Sequence, residues 1–163
     1  MACAILRVQG AQRARMMSSL NKVIFTSQCK STGREGTVES VGDSNSGLSL
    51  TLEKHTDHGG KGGATNPEEL FAAGYSACFN GALQFMAAQH KIDCGDSVTT
   101  AAVDFGTTES GVGLAVRLSV EIQGVDQSTA DRLAALAHDF CPYSNATRGN
   151  IDVDVTALGV RGE

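Results

Sequence analysis

Residues 66–91, NPEELFAAGYSACFNGALQFMAAQHK, predict one long helix with a single cysteine, Cys78, near its middle. Asn66 suits the cap position, Pro67 the first helical position, and Glu68 and Glu69 complement the positive end of the helix. Ala72, Ala73, Gly74, Ser76, Ala77, Gly81 and Ala82 keep the helix narrow around the thiol, so other elements can approach it closely. Apolar enclosure raises a thiol's pKa and leaves it inert. Cys78 is therefore either a packing residue or a nucleophile that receives a cation from another element.

The rest of the 163-residue chain supplies the surroundings of that helix. Residues 1–20 hold Arg7, Arg13 and Arg15 and no acidic residue, the composition of a mitochondrial-type targeting extension, with a cytoplasmic protein as the alternative. Residues 21–163 are expected to form one domain, a length sufficient for a real core. Lys22–Lys30, Thr37–Val41 and Leu48–Leu52 read as strands of an antiparallel meander, with Arg34 at the glycine-flanked tip of the first hairpin and a turn over Asp43–Gly47. His55–Ala64 is a glycine-rich loop whose spacing does not match a phosphate loop. Beyond the helix, Val98–Phe105 and Val112–Ile122 read as paired strands, Leu114, Val116, Leu118 and Val120 alternating with polar or small residues. Asp126–Phe140 is a second amphipathic helix that stops at Pro142. The following SNATRGN is expected to be a loop and Ile151–Val155 a closing strand. The order of elements gives an α+β fold.

Composition narrows the function. A net charge of −5 argues against nucleic acid as the main partner, and no stretch qualifies as a membrane span. The five cysteines, at positions 3, 29, 78, 94 and 141, form no CxxC pair and do not suggest a disulfide-stapled secreted domain. A working thiol needs its pKa lowered, and Cys78 lies too deep in its helix for the dipole to do so. Arginine is the natural cation, since its fork holds a thiolate and a departing oxygen together; Arg34 is available for this, with Glu68 to orient it. A second thiol protects a sulfenic acid by condensing with it, and Cys141, before Pro142, is the best candidate. A metal site using His55, His58, His138 and Cys141 is a competing possibility, as is a non-catalytic stress-related protein with an inert Cys78.

The segments TNPEELFAAGYSACFNGAL and CPYSNATRGNIDV, with the hairpin STGREG, resemble the signatures of the organic hydroperoxide resistance (Ohr) family, within the OsmC superfamily. The resemblance runs from about Lys22 to Val155. It implies an OsmC-like fold, antiparallel sheets around two long helices, in an intertwined homodimer with active sites at the subunit interface. It also implies a peroxidatic Cys78, a resolving Cys141, an activating Arg34 and a Glu68 that holds the arginine. The expected reaction is reduction of alkyl or fatty-acid hydroperoxides, through a Cys78–Cys141 disulfide recycled by lipoyl groups of protein partners, without cofactor or metal. Phe71, Tyr75 and Phe79 are candidates for the apolar wall of the substrate pocket. Asn80, where an apolar residue is expected, bears on that pocket's shape and polarity.

Overall fold

The computed structural model describes residues 19–42 and 47–161. The targeting reading of the amino terminus and most of the turn expected at Asp43–Gly47 lie outside the described residues.

Helix α1 spans Pro67–Gln89 and begins as its sequence dictates. The Asn66 side chain accepts the Glu69 backbone N–H at 2.8 Å, which satisfies one of the donors a helix start leaves open. The 23 residues extend about 35 Å. Tyr75, Phe79, Ala82, Leu83 and Ala87 form its buried face.

That face packs on a sheet made of β4 (Ser97–Thr108), β5 (Gly111–Gln123) and β6 (Val153–Val160). β4 and β5 form a long antiparallel hairpin. Along β5 the alternation expected from sequence holds, with Val116, Leu118, Val120 and Ile122 buried against the helices. β6 pairs with β5 in parallel, from Val116↔Val153 to Gln123↔Val160, so this sheet is mixed and not purely antiparallel. A parallel neighbour requires a crossover, and helices α2 (Gln127–Phe140) and α3 (Pro142–Thr147) supply it. The Asp126 carboxylate caps α2 by accepting the Thr129 N–H at 2.8 Å. β6 passes so close to this cap that a Cβ on Gly159 would lie 2.6 Å from the Asp126 carbonyl carbon.

Two expectations are corrected here. The expected loop is helical as far as Thr147, because a proline that ends one helix also fits the first position of the next, and only residues 148–150 form a turn. The closing strand begins at Val153, two residues later than expected, and continues to Val160.

The amino-terminal meander forms as a second, separate sheet: β1 (Gln28–Ser31), β2 (Thr37–Val41) and β3 (Ser49–Thr51), all antiparallel. β1 is shorter than the expected Lys22–Lys30, since β2 extends only far enough to pair residues 28–31. Val23, Ile24 and Phe25 precede it exposed. Among the described residues, neither face of this sheet packs substantially against the helices or the mixed sheet, and its strands are exposed or half-buried.

Candidate active site

One face of α1 carries Phe71, Cys78 and Phe85 at intervals of seven residues, which is close to two helical turns and keeps them in register. Each meets a residue at the junction of α2 and α3. The Phe71 ring stacks on Tyr143 with centroids 6.1 Å apart, and Phe85 stacks on Phe140 at 4.7 Å. Between these aromatic rungs the Cys141 thiol donates to the Cys78 sulfur, Sγ to Sγ 3.4 Å. Both cysteines are free thiols. Cys141 ends α2 and opens α3; its sulfur, instead of capping α3, faces Cys78.

The two thiols differ in access. Cys141 is fully buried, whereas Cys78 is only partly so. Burial pushes the Cys78 thiol above its ordinary pKa; the backbone N–H of Tyr143 counteracts this in part, and the adjoining Cys141 thiol adds to the rise. Within the single chain, then, Cys78 is reachable, but its surroundings disfavour the thiolate. The cation required by the sequence argument is still required.

Arg34 and Glu68 are brought together elsewhere. Both line a pocket of about 370 Å³ with Lys54, His58, Asp104 and Phe105, between the first hairpin, the start of α1 and β4. Neither cysteine lines this pocket. Among the described residues Arg34 and Glu68 are not within ion-pair distance of each other. Nor can Glu68 reach Cys78 on its own helix, because ten residues of α-helix separate them by about 15 Å along the axis. The four predicted residues therefore form two pairs, a dithiol and an arginine–glutamate pocket.

The structure corrects the expected pocket wall. Tyr75 and Phe79 are fully buried and present no surface to a ligand, while Phe71 is partly exposed. Tyr143, which sequence reasoning passed over, contributes the other accessible ring. It lies so close over α1 that a Cβ on Gly74 would approach its hydroxyl to 3.1 Å. The seven-residue spacing of Phe71, Cys78 and Phe85 was a visible signal for this stripe; the residues facing it were not predictable without the α2–α3 turn. Asn80 faces β4, where its Oδ1 accepts from Ser97 Oγ at 2.7 Å and Thr99 Oγ1 at 3.2 Å. It is a polar tie between helix and sheet.

The histidines do not assemble a metal site. His55 caps a short 3-10 turn at Thr56–His58 and His58 ends it, packing edge-on against Phe105. His138 instead sits on α2 beside Phe79, its Nδ1 buried without a hydrogen-bond partner and its pKa lowered by burial and by the nearby Arg148. Among the described residues no group of three or more His, Cys, Asp or Glu side chains could hold a metal ion. No helix of the described residues is long and apolar enough to cross a membrane.

This architecture has close counterparts. The model of the family of OsmC-like proteins matches residues 59–156. An organic hydroperoxide resistance protein of Xanthomonas axonopodis pv. citri is 44% identical over 143 residues, covering 86% of this chain and 99% of the relative. The crystal structure of an organic hydroperoxide resistance protein from Legionella pneumophila superposes with a TM-score of 0.79 at 44% identity, covering 84% of this chain and 99% of that one. That of OhrB from Bacillus subtilis gives 0.73 at 38% identity, covering 83% and 99%. With the stripe of helix α1, the mixed sheet and the paired thiols all in place, the chain belongs to the OsmC-like proteins, in their organic hydroperoxide resistance branch.

Proposed function

We propose that the protein is a thiol-dependent peroxidase that reduces organic hydroperoxides to alcohols. The observation that carries this reading is the pairing of a reachable thiol with a buried one at 3.4 Å. A peroxide can meet Cys78 but not Cys141, which makes Cys78 the nucleophile and Cys141 the resolving thiol. The Cys78 thiolate attacks the terminal peroxide oxygen; the O–O bond breaks, sulfur becomes sulfenic acid, and the alkoxide leaves as alcohol after taking a proton. Cys141 then displaces water from the sulfenic sulfur to form the disulfide. An external dithiol restores both thiols by exchange and leaves as its own disulfide. The partly exposed Phe71 and Tyr143 rings beside Cys78 favour a substrate with an organic arm over hydrogen peroxide.

Thiolate activation is assigned to Arg34, held by Glu68 and supplied by a second copy of the chain. The 15 Å between Glu68 and Cys78 along one helix supports this, as do the unpacked first sheet and the exposed Val23, Ile24 and Phe25 that precede it. The intertwined homodimer thus remains our proposal, as does a lipoyl group on a partner protein as the reductant. A cytoplasmic location is preferred to the mitochondrial matrix, because the relatives named above are bacterial.

Titration of the reduced protein with cumene hydroperoxide tests the reading. Loss of two thiols and release of one cumyl alcohol per chain are expected. Unchanged thiols under excess peroxide would overturn it and favour a binding protein with an inert Cys78.

A further inference from the structure

Beside the thiol pair runs a second, polar connection between the same two helices. Tyr75 lies three residues before Cys78 on α1, and Ser144 lies three residues after Cys141 on α3. The Tyr75 hydroxyl donates to Ser144 Oγ at 3.0 Å and lies 3.3 Å from Thr147 Oγ1. Thr147 Oγ1 in turn reaches the carbonyls of Tyr143 (2.9 Å) and Ser144 (3.1 Å). Tyr75 and Ser144 are fully buried and Thr147 nearly so. At that depth a hydroxyl deprived of its partner costs more than the bond itself is worth, so this junction strongly resists sliding of α3 along α1.

We propose that Tyr75 is a positioning residue for disulfide formation, its bond to Ser144 fixing the start of α3 so that Cys141 stays in line with Cys78. The spacing at both ends is one helical turn, so hydroxyl rung and thiol rung move together. The other end of α3 is fastened as well: Arg148 donates to the His138 carbonyl at 2.9 Å and Asn145 to the Asp139 carbonyl at 3.3 Å. From 3.4 Å, a disulfide of about 2.05 Å needs only about 1.4 Å of closure, without unwinding either helix. Without the Tyr75 clamp the start of α3 samples other positions, and a sulfenic acid on Cys78 waits longer for its partner. The use of this device in turnover rests on the peroxidase reading; the positioning itself can be tested without peroxide.

The test uses chain with Cys3, Cys29 and Cys94 replaced by serine and one equivalent of the aromatic disulfide DTNB. Attack by Cys78 releases a first thionitrobenzoate and leaves a mixed disulfide. Attack of Cys141 on the Cys78 sulfur then forms the protein disulfide and releases a second. The expected result is that Tyr75→Phe and Ser144→Ala each slow the second release about tenfold and change the first less than twofold. Cys141→Ser, as control, gives no second release. A lowered melting temperature with an unchanged second release in either variant would reduce the clamp to ordinary packing and overturn the proposal. If the mixed disulfide resolves as expected while peroxide consumes no thiol, the positioning stands and the peroxidase reading fails.

Discussion

Glu68 and Cys78 share helix α1 but lie ten residues apart, so their backbone positions are about 15 Å apart along a rod that cannot fold back. Whatever activates the thiol must come from off this helix. Mixing two inactive variants, Cys78→Ser and Arg34→Ala, under conditions that exchange subunits tests whether it comes from a second chain. If the residues act across an interface, half the dimers are mixed and each has one intact site, so about a quarter of wild-type peroxidase activity returns. If they act within one chain, the mixture stays inactive.

Burial raises the Cys78 pKa within the single chain, so its reactivity must depend on pH with a definite sign. The thiolate is the deprotonated form, and the alkylation rate therefore rises with pH. In Arg34→Ala the midpoint for iodoacetamide labelling of Cys78 should lie above the ordinary thiol value of about 8.5, and in the wild type below it. Equal midpoints in the two proteins would remove Arg34 from the mechanism.

The two thiols should fail differently. Cys78→Ser is expected to abolish peroxide consumption. Cys141→Ser should consume one equivalent and then accumulate sulfenic and sulfinic acid on Cys78, visible by mass as additions of one and two oxygens. Sustained dithiol-driven turnover by Cys141→Ser alone would show that Cys141 is not needed for resolution.

Asn80→Ala removes a helix-to-sheet tie and leaves the Ser97 and Thr99 hydroxyls without that acceptor. A loss of about 1–2 kcal/mol in denaturant unfolding is expected, with the rate of Cys78 labelling nearly unchanged. A large loss of labelling rate at unchanged stability would return Asn80 to the pocket.

The Asp126 carboxyl is held well below the usual carboxylate range, chiefly by the Thr129 backbone N–H, then by the Thr129 and Ser128 hydroxyls and Arg161. Because its pKa is depressed in the folded state, its contribution is complete above the unfolded value of about 3.9 and is lost as pH falls towards the folded one. Asp126→Asn should therefore lower the melting temperature at pH 7. The gap to wild type should narrow below about pH 4, and a gap independent of pH would contradict this account.

Much of this architecture was readable because its signals are local. Asn66, Pro67 and the two glutamates mark the start of α1 within four residues, and β5 declares its buried face by strict alternation. What stayed hidden depended on partners. Pro142 signals a stop and a start equally well, so α3 could not be distinguished from a loop without Tyr75 to pack against. The parallel pairing of β6 depends on the crossover, not on its own residues. Arg34 and Glu68 were identified by type and motif, but the distance between their pocket and the dithiol follows from helix geometry and topology.

In the proposed peroxidase cycle, the unequal exposure of the two sulfurs would also set the direction of the last step. Once they are joined, an incoming thiol meets only the Cys78 sulfur, so Cys141 departs as the leaving group into a closed, apolar setting. In the proposed cycle the reductant would thus be bound covalently, for a moment, to the same atom that the peroxide had oxidised. A single opening would then serve both halves of that cycle, and oxidant and reductant would have to take turns at it.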